Sequence, residues 1–486
     1  MVFTDGIFQI FFLFCFGATW MCPTVRLRQR FILVASFFFY GYWDYRFIAL
    51  LLASILSAWG SARLGHHYPL FKRRVIVCTV VFNLLLLGFF KYAVFVGANL
   101  AAIADYFGMT LHFPSIALPV GISFFTFHSL SFALDVYRGR VKDDYTLEDV
   151  AFYITFFPQL VAGPIVRANE FMDQVGVLHR FDASVFWAGF RLYLLGFVYK
   201  ALLGDHLAPI ADELFAAKTV DTPGAWRGML GYYAQIYFDF AGYSNMAIGC
   251  GLMLGYRLPQ NFNFPYAAKS ITEFWRRWHI SLSSWLRDYL YFSLGGNRRG
   301  RQRMYVNLMA TMLLGGLWHG ATWTFVAWGA LHGVYLVADK RYTEWRETRG
   351  PTPRALQPFN LMGAWLLTQL LVLIAWVPFR AQDFGTAATI LDRMFIHFRW
   401  PAELRVRDWL WTLVFLVPLV VDTWLKPLGN TARPAEEAMQ RPSTSVGGVG
   451  RAATIVGLAL AGTVVILMAI ALLYPRIAKP FIYFQF

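Results

Sequence analysis

Apolar residues run along this chain in stretches too long for the half-buried helices of a water-soluble core. They lie near 3–22, 31–59, 75–103, 115–134, 184–203, 226–255, 304–338, 361–379, 408–425 and 452–474, with short polar segments between them. About 20 apolar helical residues cross the hydrocarbon layer of a bilayer. The pattern predicts an all-α integral membrane protein with roughly ten to thirteen membrane-embedded helices, the longest runs holding two short helices or one tilted helix. No long linker divides the chain, so the expectation is a single polytopic membrane domain over 1–486. The first run has Asp5 near its start and Arg26, Arg28 and Arg30 after it. A secretory leader carries its charge in front. The first run therefore reads as a retained span with the N-terminus outside.

Two interruptions stand out. In Phe156-Phe157-Pro158-Gln159-Leu160-Val161-Ala162-Gly163-Pro164, prolines bracket a short apolar stretch. Proline removes a backbone donor and breaks a helix. Irregular backbone at membrane depth persists only inside protein or beside a cavity. A re-entrant element is predicted here, and with it a cavity. Residues 428–451 are rich in Pro, Gly, Ser and Thr and carry Arg433 and Arg441; they read as a flexible cytoplasmic loop.

Composition sharpens this picture. Hydrophobic residues make up 58% of the chain and charged residues only 15%, against about 25% charged in soluble domains. The net charge of +15 would suit nucleic-acid binding in a soluble protein. Here the cations sit between apolar runs, as in Lys72-Arg73-Arg74 and Arg298-Arg299-Gly300-Arg301, which is the mark of loops retained on the cytoplasmic side. The four cysteines are scattered, with neither zinc spacing nor a disulfide framework, so no metal site is expected.

Candidate chemistry concentrates in 259–333. A turn-rich stretch, Pro259-Gln260-Asn261-Phe262-Asn263-Phe264-Pro265-Tyr266, precedes Ser270-Ile271-Thr272-Glu273, a capping-box pattern that announces a helix. Beyond it, Trp275, Trp278, Leu282, Trp285, Leu286 and Tyr289 recur at helical spacing, predicting one continuous amphipathic helix suited to a membrane interface. His279 would share its apolar side with Trp275, Leu282 and Leu286. A packed histidine bonded to a carbonyl competes with a functional one at this position.

The glycine- and arginine-rich stretch 295–303 has two readings, a positive-inside loop or a landing site for a phosphorylated donor. Next, Gly315-Gly316-Leu317-Trp318-His319-Gly320 places an ionisable side chain among small residues in an apolar run. Such a residue is a functional candidate by default. Close helix packing through Gly316 and Gly320, with His319 bonded across the interface, is the alternative.

Asp239-Phe240-Ala241-Gly242-Tyr243-Ser244, Asn261-Phe262-Asn263-Phe264-Pro265-Tyr266, Phe274-Trp275-Arg276-Arg277-Trp278-His279-Ile280-Ser281-Leu282, Trp285-Leu286-Arg287-Asp288-Tyr289-Leu290 and Gly316-Leu317-Trp318-His319-Gly320 together resemble the membrane-bound O-acyltransferase (MBOAT) family. Within it they are most similar to the branch that acetylates alginate and related polysaccharides. Asp135-Val136-Tyr137-Arg138-Gly139 and 157–165 also resemble that branch. The resemblance runs through most of the chain and is weakest after about residue 390, where no motif offers a check.

The resemblance implies a fold of helices, with re-entrant elements, ringed about a central tunnel. It implies a catalytic role for His319 and a second catalytic position at His279. An acyl thioester is attacked by a hydroxyl; a neutral imidazole at 319 can remove the proton, and His279 can donate to the oxyanion or orient the acceptor. Arg298, Arg299, Asn297, Trp318 and Trp275 are candidates for binding the donor. The expected donor substrate is cytoplasmic acetyl-CoA, with no bound cofactor. The expected route runs through an extracytoplasmic acetyltransferase-like partner to a polysaccharide, from a bacterial inner membrane. Two rivals remain open at this point: D-alanyl or other acyl transfer to teichoic acid or peptidoglycan, and a transporter whose histidines line a proton path.

Overall fold

The computed structural model describes residues 1–114, 116–177, 180–349, 353–401, 406–425 and 457. The expected loop at 428–451 and the last apolar run lie outside the described residues, apart from position 457. Among the described residues every regular element is helical. Among these residues four helical stretches are long and apolar enough to cross a membrane: Val25–His67, Pro69–Tyr106, Ala183–Ala216 and Gln357–Arg380.

The described chain forms two compact units. The first comprises Met1–Leu195, Tyr243–Pro259 and position 457; the second comprises Gly196–Gly242 and the described residues of Gln260–Asn430.

In the first unit, the run near 31–59 is two helices, Val25–Asp44 and Ile48–His67, joined by a single tight turn at Tyr45–Phe47. Thr146 and Asp149 complete a capping box that starts the helix Leu147–Thr155. Arg26 pairs with Asp149 at 2.6 Å and Arg30 with Glu148 at 3.1 Å. The carboxylates thus sit at the positive end of the helix dipole and also meet the first basic cluster. The 156–164 segment is broken, as its prolines require, into the four-residue helix Phe157–Leu160 and an irregular stretch that is buried throughout. Gly121 adopts φ 74° against it, and a Cβ there would lie 2.9 Å from the Leu160 carbonyl oxygen.

In the second unit the glycines of 304–338 do structural work. The run is two helices, Arg301–His319 and Trp323–Glu347. A Cβ at Gly316 would lie 2.3 Å from the Phe325 oxygen, and one at Gly329 would lie 2.4 Å from the Met312 oxygen. Only glycine permits the two backbones to approach this closely. A second close crossing joins 198–204 to Thr222–Met253, where Lys200 is buried 2.5 Å from Asp205 and 2.6 Å from Asp239. A buried cation needs such partners.

Candidate active site

The continuous helix expected through 270–290 is not what forms. Ser270 caps the start as anticipated, its hydroxyl accepting from the Glu273 N–H at 3.1 Å. The helix then stops at Arg277, and a new one runs Ile280–Trp285 before a wider turn at Leu286–Tyr291. His279 stands in the break with φ 42° and ψ 55°. Left-handed backbone costs a non-glycine residue about 1–2 kcal/mol, so something must hold it there.

The clamp is the Asn-Phe-Asn-Phe stretch upstream. The Ile280 N–H donates to the Asn261 carbonyl at 2.9 Å, and the Asn263 N–H donates to the Arg277 carbonyl at 2.9 Å. The Asn261 side-chain oxygen accepts from the Ser281 hydroxyl at 2.5 Å. Trp278 packs at 5.0 Å between ring centroids against Phe262 and against Trp376. The spacing argument that put His279 on one face with Leu282 and Leu286 is therefore superseded: the clamp, not helical periodicity, sets the direction of the imidazole.

His319 is the last residue of the helix Arg301–His319. The structure brings His279 and His319 together, with ring centroids 6.3 Å apart. Trp318 touches both, at 6.0 Å and 4.9 Å. Phe240 meets the His279 ring edge-on at 4.6 Å, while Trp328 and Phe379 meet His319 at 5.0 and 5.2 Å. His279 is fully buried and His319 retains 5% exposure. Two imidazoles in one aromatic cage can hand a proton to and from a group set between them and can donate a hydrogen bond to a developing oxyanion. Among the described residues no group of three His, Cys, Asp or Glu side chains could hold a metal ion.

Beside the pair opens a cleft of about 530 Å³. Trp275 and Asn297, two of the expected donor-binding residues, line it. Trp318 does not; it belongs to the histidine cage. Arg298 and Arg299 are exposed and also do not line the cleft. The cations that do are Arg276, Arg287 and Lys340. Neither histidine lines the cleft, but Ile280, the neighbour of His279, does.

Sequence reasoning also missed His332. It is fully buried on the helix Trp323–Glu347, one turn after Trp328, and accepts a hydrogen bond from the Trp275 indole at 3.3 Å. The signal was available: an ionisable residue among Gly329, Gly333 and aromatic neighbours, the same kind of setting that drew attention to His319.

Residues 75–377 match the MBOAT, membrane-bound O-acyltransferase family. The chain is 39% identical over its full length, and the full length of the relative, to a protein of Azotobacter vinelandii named "Probable alginate O-acetylase AlgI". It is 43% identical to a protein of that name from Pseudomonas aeruginosa, over 82% of this chain and 76% of the relative. It is also 37% identical to the peptidoglycan O-acetyltransferase of Helicobacter pylori, over 75% of this chain and 73% of that protein. The chain belongs to the membrane-bound O-acyltransferase family: it is a membrane protein and an O-acyltransferase.

Proposed function

We propose that this enzyme takes acetyl groups from cytoplasmic acetyl-CoA and passes them across a bacterial inner membrane, in which it is a multi-pass protein, for O-acetylation of an extracytoplasmic polysaccharide through an extracytoplasmic partner. The observation that carries the reading is the 6.3 Å approach of His279 and His319 inside one aromatic cage. An acceptor hydroxyl attacks the thioester carbonyl while His319 takes its proton. His279 faces the oxygen on which charge develops. The C–S bond then breaks, and the proton on His319 passes to the departing thiolate.

The cleft beside the pair supports a phosphorylated donor. Arg276, Arg287 and Lys340 offer charge to phosphate oxygens, and Trp275 offers an apolar and aromatic wall. In this reading the acyl end of the donor passes the apolar residues Ile280, Leu286 and Met312 to reach the imidazoles. The relatives named probable alginate O-acetylase favour alginate or a similar polysaccharide as final acceptor; the name of the Helicobacter protein favours peptidoglycan as the second choice.

The test supplies membranes carrying the enzyme with labelled acetyl-CoA and, separately, with a labelled D-alanyl carrier protein. Label from acetyl-CoA appearing in extracytoplasmic polymer supports the proposal. Label arriving only from the carrier protein assigns a different acyl group and removes it. Proton flux through liposomes without any donor would instead mark a transporter.

A further inference from the structure

His332 enters neither the proposed proton transfers nor the proposed donor contacts, yet it is tied to both places. Trp275 lines the cleft and donates its indole N–H to His332 Nδ1 at 3.3 Å. An indole can only donate, so Nδ1 must hold a lone pair and the ring proton must sit on Nε2. Nε2 itself is buried with no hydrogen-bond partner among the described residues. On its other side the His332 ring meets Trp328 at 4.9 Å, and Trp328 meets His319 at 5.0 Å. Phe274 lies parallel to His332 within 7°.

The supporting framework holds this arrangement at two points. The Thr272 N–H donates to Asp339 at 2.9 Å, fixing the first turn of the short helix Ile271–Arg277 against the helix Trp323–Glu347. Two turns before Asp339 stands His332, and one turn after Thr272 stands Trp275. The short helix is therefore pinned to the long one by a backbone hydrogen bond to a carboxylate at one end and by the indole–imidazole bond at the other. A buried histidine kept in one tautomer at such a junction fixes the orientation of an aromatic wall more strictly than apolar packing does.

We propose that His332 is a positioning residue for acyl transfer: through Trp275 it sets the wall of the donor cleft, and through Trp328 it braces the ring of His319, so that donor seating and the posture of His319 depend on one stack. This rests on the acyl-transfer reading given above. Loss of His332 then changes both the donor KM and kcat, since a small misplacement of a reacting group costs up to about 10²-fold in rate.

The experiment compares His332→Leu, His332→Asn and Trp275→Phe with the unaltered enzyme in membranes. Donor KM and kcat are measured per mole of folded protein with acetyl-CoA as the labelled donor. Asn restores an acceptor near the Nδ1 position; Phe removes only the indole N–H and part of the ring. The expected result is a kcat about 10-fold lower with a raised donor KM in His332→Leu, substantial recovery in His332→Asn, and a smaller loss of the same kind in Trp275→Phe. The double variant His332→Leu/Trp275→Phe should be no worse than His332→Leu alone.

Unchanged KM and kcat per folded molecule in both His332→Leu and Trp275→Phe would overturn the proposal, as would a His332→Asn variant no better than His332→Leu. If His332→Leu does not fold, Trp275→Phe alone decides by the same criterion. A parallel His319→Ala sample separates the two levels of the argument. Activity persisting there removes the acyl-transfer reading itself, whereas an inactive His319→Ala beside a normal His332→Leu removes only the role of His332.

Discussion

His128 and His319 are both buried histidines on apolar helices, and their settings differ in kind. In the first unit, His128 accepts the Val166 N–H at Nε2, and the Tyr153 hydroxyl that packs beside it donates to the Val166 carbonyl. The imidazole thus closes the backbone of the irregular segment that follows the Phe157–Leu160 helix. In the second unit, His319 faces a second imidazole across an aromatic cage, and that second imidazole is held at φ 42° by the hydrogen bonds of Asn261 and Asn263 to the flanking backbone. Burial makes any histidine costly. What separates the two rings is that His128 spends its polar edge on nearby backbone, whereas His319 faces a second imidazole.

The comparison can be broken most forcefully at His279. Changing His279→Ala should lower acetyl transfer by about 10²–10³-fold, the scale of losing one positioned donor or proton-transfer group, while the amount of folded protein in the membrane stays near normal. Loss of activity in step with loss of folded protein would make His279 a structural residue like His128. The reciprocal change, His128→Ala, should cost about 1–3 kcal/mol of stability, because it leaves the buried Val166 N–H unsatisfied. Thermal unfolding in detergent should fall, and turnover per folded molecule should not.

Smaller effects sharpen the picture further. Replacing Arg276 and Lys340 by Gln should raise the donor KM by about 10-fold, the equivalent of one charge-assisted contact, with kcat retained. A lowered kcat with an unchanged KM would move those cations from donor binding to the chemistry. The smallest expected difference is between His279→Gly and His279→Ala. Both lack the imidazole and should be equally inactive. Glycine accepts the left-handed backbone freely, so it should be the more stable of the two by about 1 kcal/mol. Equal stability would mean that the turn relaxes and is not imposed by the Asn261 clamp.

Much of this was legible in the sequence, for physical reasons that also mark its limits. Long apolar runs with basic separators dictate a helical membrane protein, because in lipid the backbone must satisfy its own hydrogen bonds. The small residues around His319 pointed to close packing, and Gly316 does pack against the next helix while His319 sits among Trp318, Trp328 and Phe379. The break at Trp278–His279 was not legible. Trp275, Leu282 and Leu286 keep helical spacing straight through it, and the cause, Asn261, lies far enough upstream that no local pattern contains it. The cleft cations were equally hidden, since Arg276, Arg287 and Lys340 are brought together only by the folding of two helices and a turn. Arg298 and Arg299, the more conspicuous cluster, stay exposed outside it.

The proposed acyl transfer turns on a proton leaving an acceptor hydroxyl for His319. Its most direct test is His319→Ala, expressed to normal abundance and supplied with labelled acetyl-CoA on the cytoplasmic side. No label should reach extracytoplasmic polymer, although the protein accumulates folded in the membrane. Polymer acetylated at the normal rate by that variant would contradict it.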